Sequence, residues 1–232
     1  MKNKKIIFED KDFLIINKPA NISVHPLKSL EEKTLVSLLI NLYPEIKKID
    51  DPPASRLRPG IVHRLDKDVS GLMIIARNQK SFEHFKKEFK NRRIEKEYLA
   101  LVHGHLPKEK GVITLPLTRS KKGITLAKKI DLEKIKEAWT EYEVLKNFKN
   151  FSLLKIKTRT GRTHQIRVHS KTIGHPIVGD EKYKIKRQKV IPLGRIFLHA
   201  YKLGFYDLKG HWQEFKIDLP IELKNFLKKC EK

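Results

Sequence analysis

The sequence predicts an α+β protein with a mixed, mainly antiparallel β-sheet and flanking helices. Short apolar runs that are typical of β-strands follow one another along much of the chain, and segments with helical spacing interrupt them. Strands in series with a few intervening helices favour antiparallel neighbours. The 232 residues, of which 39% are hydrophobic, suffice for a packed core. We therefore predict one domain over residues 1–232.

The first half of the chain is predicted to hold a hairpin, two helices and two further strands. Apolar runs at Ile6–Phe8 and Phe13–Ile16 predict the hairpin, and leucines at helical spacing predict a helix that ends near Pro44. Ile61–Val62 and Leu72–Ala76 are predicted strands on either side of a polar segment. The second helix is predicted from three aromatic residues on one face of a Lys-rich segment: Phe82, Phe85 and Phe89.

The second half is predicted to be mostly strand from Tyr98 onward, with a hairpin turn at Lys146–Asn150. A short helix is predicted after Gly161, where Thr163 is a residue type that caps helix N-termini. A last helix is predicted to begin at Pro220. The Lys-rich stretch Arg119–Lys136 is the candidate for a flexible surface excursion.

The charge of the chain indicates a polyanionic partner. Lys and Arg number 51 against 27 Asp and Glu, which gives a formal net charge of +24. Each cation placed on a phosphate releases condensed counterions, so a surplus of this size favours nucleic acid. A composition bias toward lysine is the alternative explanation of the same number.

Several classes of protein are disfavoured by what the sequence lacks. Cys230 is the only cysteine, so neither an intrachain disulfide nor a paired-cysteine zinc site is expected. The basic N-terminus lacks the apolar run of a signal peptide, and no apolar stretch approaches the length of a membrane span. No nucleotide-binding or metalloprotease motif occurs. We expect a cytoplasmic protein that works without metal or cofactor.

Three polar segments could carry chemistry. In HRLDKDVSG, the basic neighbours His63, Arg64 and Lys67 would favour the ionised form of Asp66 and keep it available as a nucleophile or base. The alternative is a turn with a surface ion pair.

The other two segments are TGRTHQIRVH and KEYLALV. On a helix, His164 and Arg167 would share one face and could point together into a cleft, or they could simply contact phosphates. Tyr98 lies near the start of a strand, where a tyrosine is usually part of the core but could also stack on an extruded base.

Six segments in order along the chain together resemble the RluA-type pseudouridine synthases: NKPANISVHP, GIVHRLDKDVSGLMIIARN, KEYLALVHG, TGRTHQIRVH, HPIVGDEKY and FLHAYKLGF. The resemblance implies a single catalytic domain with a central RNA-binding cleft. It also implies an isomerase that breaks the bond between uracil N1 and the ribose, turns the base and rejoins it through carbon 5. Many relatives carry an N-terminal S4-type RNA-binding domain, whereas this chain is expected to begin with the catalytic domain.

The resemblance also implies residue roles. Asp66 matches the catalytic carboxylate that attacks, or removes a proton from, the ribose carbons. Arg167 matches the basic residue that pairs with this carboxylate, with Arg162 as the rival candidate. Tyr98 matches the aromatic residue that packs on the target base. Arg64 matches a residue that takes the place of the extruded base, and a phosphate contact is its alternative role.

Further substrate contacts are expected from His63, Arg162 and His164, and Leu198 is expected in the dry wall of the pocket. Val69 departs from the family, which usually has Thr there, so a hydroxyl near the catalytic loop is exchanged for a methyl group.

The expected partner is a stem-loop of large-subunit ribosomal RNA or transfer RNA, and the chain is expected to be a monomer. A noncatalytic RNA-binding protein of ribosome assembly is the alternative function. A metal-dependent nuclease that uses Asp66, Asp68 and His63 is less favoured, because such sites need several convergent carboxylates.

Overall fold

The computed structural model of the protein describes residues 5–26, 33–50, 58–119, 125–127, 136–185 and 191–231. The chain packs as two compact units. The first unit comprises Met1–Ile94 and Lys202–Ile217, and the second comprises Glu95–Tyr201 and Asp218–Lys232. The prediction of a single domain over 1–232 stays a prediction. Both units combine antiparallel strand pairs with helices, which confirms the α+β class.

Three strands of the first unit are β1 (Ile6–Glu9), β2 (Phe13–Lys18) and β3 (Ser70–Ala76). They pair antiparallel in the order β1-β2-β3. The predicted hairpin β1–β2 is confirmed, and the Asp10 carboxylate stabilises its turn by accepting hydrogen bonds from the backbone N–H groups of Asp12 and Phe13, both at 2.8 Å. All seven residues of β3 are buried, so this strand is central to the packing of the unit.

Two helices of the first unit begin with a reciprocal cap. They are α1 (Leu35–Leu42), which is followed by a 3-10 turn (Pro44–Lys48), and α2 (Gln79–Lys90). The side chains of Thr34 and Asn78 accept a hydrogen bond from the backbone N–H of the third helical residue, which is a serine in both helices. The hydroxyl of that serine accepts in return from the backbone N–H of the cap residue. Phe82 and Phe85 of the predicted helical face are 2% and 0% exposed. Phe85 contacts Phe13 and Phe205 edge to face in the core of this unit.

Two further strands are β10 (Leu198–Tyr206) and β11 (Trp212–Lys216). From Lys202 onward, β10 belongs to the first unit and pairs antiparallel with β11. Phe205 contributes its ring to the core, whereas Tyr206 and Trp212 at the end of this pair are 47% and 41% exposed.

The second unit is built on four antiparallel strands in the order β4-β9-β8-β5. They are β4 (Glu95–His103), β9 (Phe151–Thr158), β8 (Thr140–Phe148) and β5 (Lys110–Ile113). A short hairpin, β6 (Leu117–Arg119) with β7 (Thr125–Ala127), precedes β8. The helices of this unit are α3 (Gln165–Thr172) and α4 (Ile221–Cys230).

Three predicted boundaries are wrong. Ile61–Val62 is no strand: Ile61 forms one isolated bridge with Ile75, because Gly60 (φ +73°) turns the chain and its carbonyl accepts from Ala76 N. The helix α3 begins at Gln165, so Thr163 is not its cap. The turn between β8 and β9 is shorter than predicted, since the strands extend to Phe148 and resume at Phe151.

The Lys-rich stretch 119–136 includes the end of β6 and all of β7. Residues 120–124 and 128–135 of the predicted excursion lie outside the described residues. In the part of the chain that the structure describes, no helix combines the length and the apolar character needed to cross a bilayer.

Candidate functional site

The HRLD segment forms a loop of the first unit directly before β3. Leu65 and Val69 are 7% and 2% exposed, and they anchor the two sides of a turn in which Val69 N donates to the Asp66 carbonyl at 3.2 Å. Asp66 itself is half-buried. The Val69 side chain, at the position where the resemblance leads one to expect Thr, is buried. The loop therefore presents one carboxylate between two buried anchors.

Lys18 holds this loop from the end of β2. Its side chain is 0% exposed, and its ammonium group donates to three backbone carbonyls: Pro19 at 2.8 Å, Ile22 at 2.9 Å and Lys67 at 3.0 Å. The Lys67 carbonyl directly follows Asp66 in the chain. Burial of an ammonium group is tolerated only where oxygen acceptors replace its water, as these do. The sequence analysis did not select Lys18, although it lies within the quoted segment NKPANISVHP.

His63 ties the same loop to β3 and α2. Its Nε2 accepts a hydrogen bond from Ile74 N at 2.9 Å, and its ring stacks on Phe89 with centroids 4.5 Å apart. The acceptor role places the proton of a neutral imidazole on Nδ1. These contacts give His63 a structural role; its predicted contact with substrate stays a prediction.

Arg64 is exposed and lies near His25. Its Nη1 atom is 3.4 Å from His25 Nε2, while His25 Nδ1 is 3.0 Å from the Pro26 carbonyl. Burial lowers the pKa of His25, and the charges of Arg64 and Arg58 lower it further. A neutral His25 can therefore accept from Arg64 and orient its guanidinium group.

The TGRTHQ segment of the second unit is shaped by a buried amide. Gln165, 4% exposed, accepts through Oε1 from the Thr160 hydroxyl at 2.7 Å and from Arg162 N at 3.0 Å. Its Nε2 donates to the Trp139 carbonyl at 3.0 Å and to Thr140 Oγ1 at 2.9 Å. Arg162 also donates from Nε to the Glu137 carbonyl at 3.0 Å. All four hydrogen-bonding positions of the amide are used, which fixes the path of the loop.

His169 extends this network into the core. It is 0% exposed, with Nδ1 2.9 Å from Thr140 Oγ1 and Nε2 2.8 Å from the Leu115 carbonyl. A neutral ring with its proton on Nε2 satisfies both contacts. Desolvation lowers the pKa of His169, consistent with that neutral form.

His164 does not lie on α3, as the prediction of a shared helical face required, but His164 and Arg167 both contact Tyr183. His164 precedes α3 in a left-handed conformation (φ 55°, ψ 21°), and its Nδ1 lies 2.7 Å from the Tyr183 hydroxyl. Among the described residues, no side chain caps α3; Gln165 N donates to the Arg162 carbonyl at 3.0 Å and Val168 N donates to the His164 carbonyl at 2.9 Å around the sharp turn at His164. The predicted contact of His164 with substrate stays a prediction.

Arg167 lies on α3 and is 5% exposed. Its Nε and Nη2 donate to the two carboxylate oxygens of Asp180 at 2.7 and 2.9 Å, and its guanidinium lies 5.1 Å from the centre of the Tyr183 ring. Asp180, from the segment HPIVGD, also accepts from the backbone N–H groups of Lys182 and Tyr183. This bidentate pair was missed by the sequence analysis. The predicted pairing of Arg167 with Asp66 concerns one residue in each unit and stays a prediction.

The remaining predicted residues are on strands of the second unit. Tyr98 is half-buried on β4, opposite Ile156 of β9. Lys96 lies two positions before it on the same strand face, and desolvation lowers the pKa of Lys96 to about 8. Leu198, 3% exposed, opens β10, and its carbonyl accepts from Arg195 Nη2 at 3.3 Å. Among the described residues, no cluster of three or more His, Cys, Asp or Glu could hold a metal ion.

Comparison with known proteins adds independent observations. Residues 12–172 match the family model described as RNA pseudouridylate synthase. An uncharacterized RNA pseudouridine synthase of Aquifex aeolicus is 40% identical over 95% of this chain and 71% of its own length. Ribosomal large subunit pseudouridine synthase D of Borreliella burgdorferi is 38% identical over 97% of this chain and 69% of its own. The structure of human RNA pseudouridylate synthase domain containing 1 is 27% identical, with a TM-score of 0.75 over 94% of this chain and 84% of that one.

Proposed function

The chain belongs to the RNA pseudouridylate synthase family, and on that premise we propose that it converts specific uridines of large-subunit ribosomal RNA to pseudouridine with Asp66 as the catalytic carboxylate. It is an isomerase that acts on RNA. The choice of ribosomal RNA rests on the name of the relative from Borreliella burgdorferi. A transfer RNA stem-loop is the alternative substrate.

The single observation that carries the proposal for Asp66 is the way its loop is held. Buried Leu65 and Val69 flank it, and the buried ammonium of Lys18 bonds the next carbonyl in the chain. Loops positioned by a rigid scaffold are where catalytic groups concentrate, because their geometry is set before the substrate arrives. The Asp66 carboxylate is half-buried. Partial exposure permits contact with a ribose, and the fixed loop restricts the direction in which the carboxylate points.

The reaction needs no atom from outside the substrate. The bond between N1 and the ribose C1′ breaks, the freed uracil turns, and C5 bonds to C1′. C5 then loses its proton and N1 gains one, so the product has the same atoms as the substrate. We propose that Asp66 acts on the ribose while the glycosidic bond is broken. A negative charge beside an electron-poor sugar stabilises it, as carboxylates do in glycosidases.

A uridine in a stem-loop is stacked, so it must be extruded before a carboxylate can reach its sugar. Extrusion costs a few kcal/mol, which contacts to the base and backbone have to offset. We propose Arg64, exposed on the Asp66 loop, for the space that the uridine vacates, and Tyr98 for the contact with the uracil face. Arg167, which the resemblance pairs with the carboxylate, is proposed to orient it.

The test compares Asp66→Ala with Asp68→Ala on in vitro transcripts of large-subunit ribosomal RNA and of transfer RNA. Asp68 is a matched control, since it is a half-buried carboxylate in the same loop. We expect Asp66→Ala to abolish pseudouridine formation, because a group that acts in the chemical step cannot be replaced by solvent. Its RNA affinity should stay within about tenfold of the unmodified protein, since phosphate contacts dominate binding.

Asp68→Ala should retain turnover. Pseudouridine formation by the Asp66→Ala variant at the unmodified rate would refute the proposed role. Mapping of pseudouridines in both transcripts identifies the substrate. If pseudouridine forms in the transfer RNA alone, then transfer RNA is the substrate and the proposal of ribosomal RNA is wrong.

A further inference from the structure

Trp139 directly precedes β8 and is held by backbone hydrogen bonds to the TGRTHQ segment and its neighbour Arg159. Its backbone N–H donates to the Thr160 hydroxyl at 2.8 Å, and its carbonyl accepts from Gln165 Nε2 at 3.0 Å and from Arg159 N at 3.3 Å. These bonds involve only the backbone of Trp139, so the position of the residue does not depend on its side chain. The indole itself is only half-buried.

One carboxylate oxygen orients the indole together with a guanidinium group. Glu141 Oε1 accepts from Trp139 Nε1 at 2.8 Å and from Arg159 Nε at 3.0 Å. The Arg159 guanidinium carbon lies over the indole, 4.9 Å from the ring centre, and the Arg159 side chain is 60% exposed. The shared Glu141 acceptor thus holds the guanidinium group over the indole in advance, and the Arg159 side chain is open to solvent.

This arrangement suits a nucleobase better than a phosphate. The Glu141 carboxylate, 31% exposed and bonded to Arg159, opposes a bare anion at the same place. A base, by contrast, offers an uncharged π-face, and stacking on aromatic rings and guanidinium planes is tolerant of base identity. Arg162, whose backbone N–H donates to the same Gln165 amide, would supply a cation for the adjoining phosphate.

We infer that Trp139 and Arg159 form a stacking platform for an unpaired base of the RNA substrate, outside the residues that act on the target uridine. The inference rests on the proposed function, since it supposes that RNA is bound by this face of the second unit. The platform would supply affinity rather than chemistry. Its loss should therefore raise KM and leave kcat within about threefold.

The first experiment compares three variants in pseudouridine formation on the ribosomal RNA transcript. Trp139→Ala removes the stacking surface, and Trp139→Phe retains a smaller ring. Trp212→Ala is the matched control, because Trp212 is also partly exposed and packs edge-on against Tyr206 of the first unit. We expect KM to rise on the order of tenfold in Trp139→Ala, the effect of losing one stacked base, and less in Trp139→Phe. Trp212→Ala should stay within about twofold of the unmodified protein.

The second experiment uses fluorescence and needs no turnover. The chain has two tryptophans, so Trp212→Phe leaves Trp139 as the only indole. We expect its emission to be quenched by oligouridylate and not by heparin, a polyanion without bases. Trp139→Phe, which leaves Trp212, should show little quenching by either. Circular dichroism of each variant establishes that it is folded.

The two readouts separate this inference from the proposed function. An unchanged KM in folded Trp139→Ala, or equal quenching by oligouridylate and heparin, would overturn the platform while pseudouridine formation stands. Failure of the unmodified protein to form pseudouridine would refute the proposed function, and quenching by oligouridylate would still decide whether Trp139 stacks on a base.

Discussion

Replacement of Lys18 by Met tests whether the buried ammonium group holds the Asp66 loop. Met has similar length and apolar character, so it fills the space but cannot donate to the carbonyls of Pro19, Ile22 and Lys67. The three lost hydrogen bonds involve a charged donor and are worth about 1.5–3 kcal/mol each, or roughly 4–9 kcal/mol together. This loss is offset by several kcal/mol, because the variant has no ammonium group that must be desolvated on folding. We expect the free energy of unfolding to fall by about 2–4 kcal/mol.

The same substitution should slow the reaction. The Lys67 carbonyl is one residue from Asp66, so its release permits the carboxylate to drift. A displacement of about 1 Å can lower the rate on the order of a hundredfold. The assays are urea denaturation and single-turnover pseudouridine formation under conditions where the variant is folded.

Lys67→Ala is the matched control for Lys18→Met. It removes the exposed side chain of residue 67 and keeps the carbonyl that Lys18 binds, so both stability and turnover should stay close to those of the unmodified protein. Unchanged stability of Lys18→Met would refute the energetic reasoning. Reduced stability with an unchanged single-turnover rate would refute the link between Lys18 and the position of Asp66.

Three further predictions follow from buried charges and from the net charge. Asp180→Asn should lower the free energy of unfolding by about 3–5 kcal/mol, because the buried Arg167 guanidinium loses the carboxylate that accepts from its Nε and Nη2. Glu222→Gln, which removes the half-exposed partner of Arg195, should cost at most about 1 kcal/mol. Equal urea midpoints for the two variants would contradict this prediction. The pKa of His169 is lowered in the folded protein, so the unfolded chain binds a proton at this residue more readily. The stability of the fold should therefore be full above the unfolded pKa of about 6.5 and fall below it, and the fall should be smaller in His169→Gln. Urea midpoints measured at about pH 7.5 and 5 test this, and an equal fall in both proteins would contradict a ring that is held neutral. RNA affinity should fall on the order of a thousandfold between about 50 and 200 mM salt in filter-binding measurements, and a flat response would mean that the +24 net charge reflects composition alone.

Local patterns were sufficient for most of the elements. Two short apolar runs predicted the β1–β2 hairpin, and helical spacing predicted α1 and α2, because each of these signals depends on residues close together in the chain. Boundaries set by more distant partners were predicted wrongly. Thr163 resembles a helix cap, but α3 begins at Gln165, whose amide bonds to Thr160 and Trp139 and fixes the loop before the helix.

The sequence by itself determined the family, the reaction class and the candidate residues, since six collinear segments carry that information without any knowledge of contacts. The tertiary structure decided what holds those residues. Lys18 reaches a carbonyl 49 residues away, and Asp180 lies 13 residues beyond Arg167. Such partners are chosen by how the chain folds back on itself, because a buried charge is stable only where oxygen acceptors or an opposite charge converge on it. No local pattern in the sequence specifies that convergence.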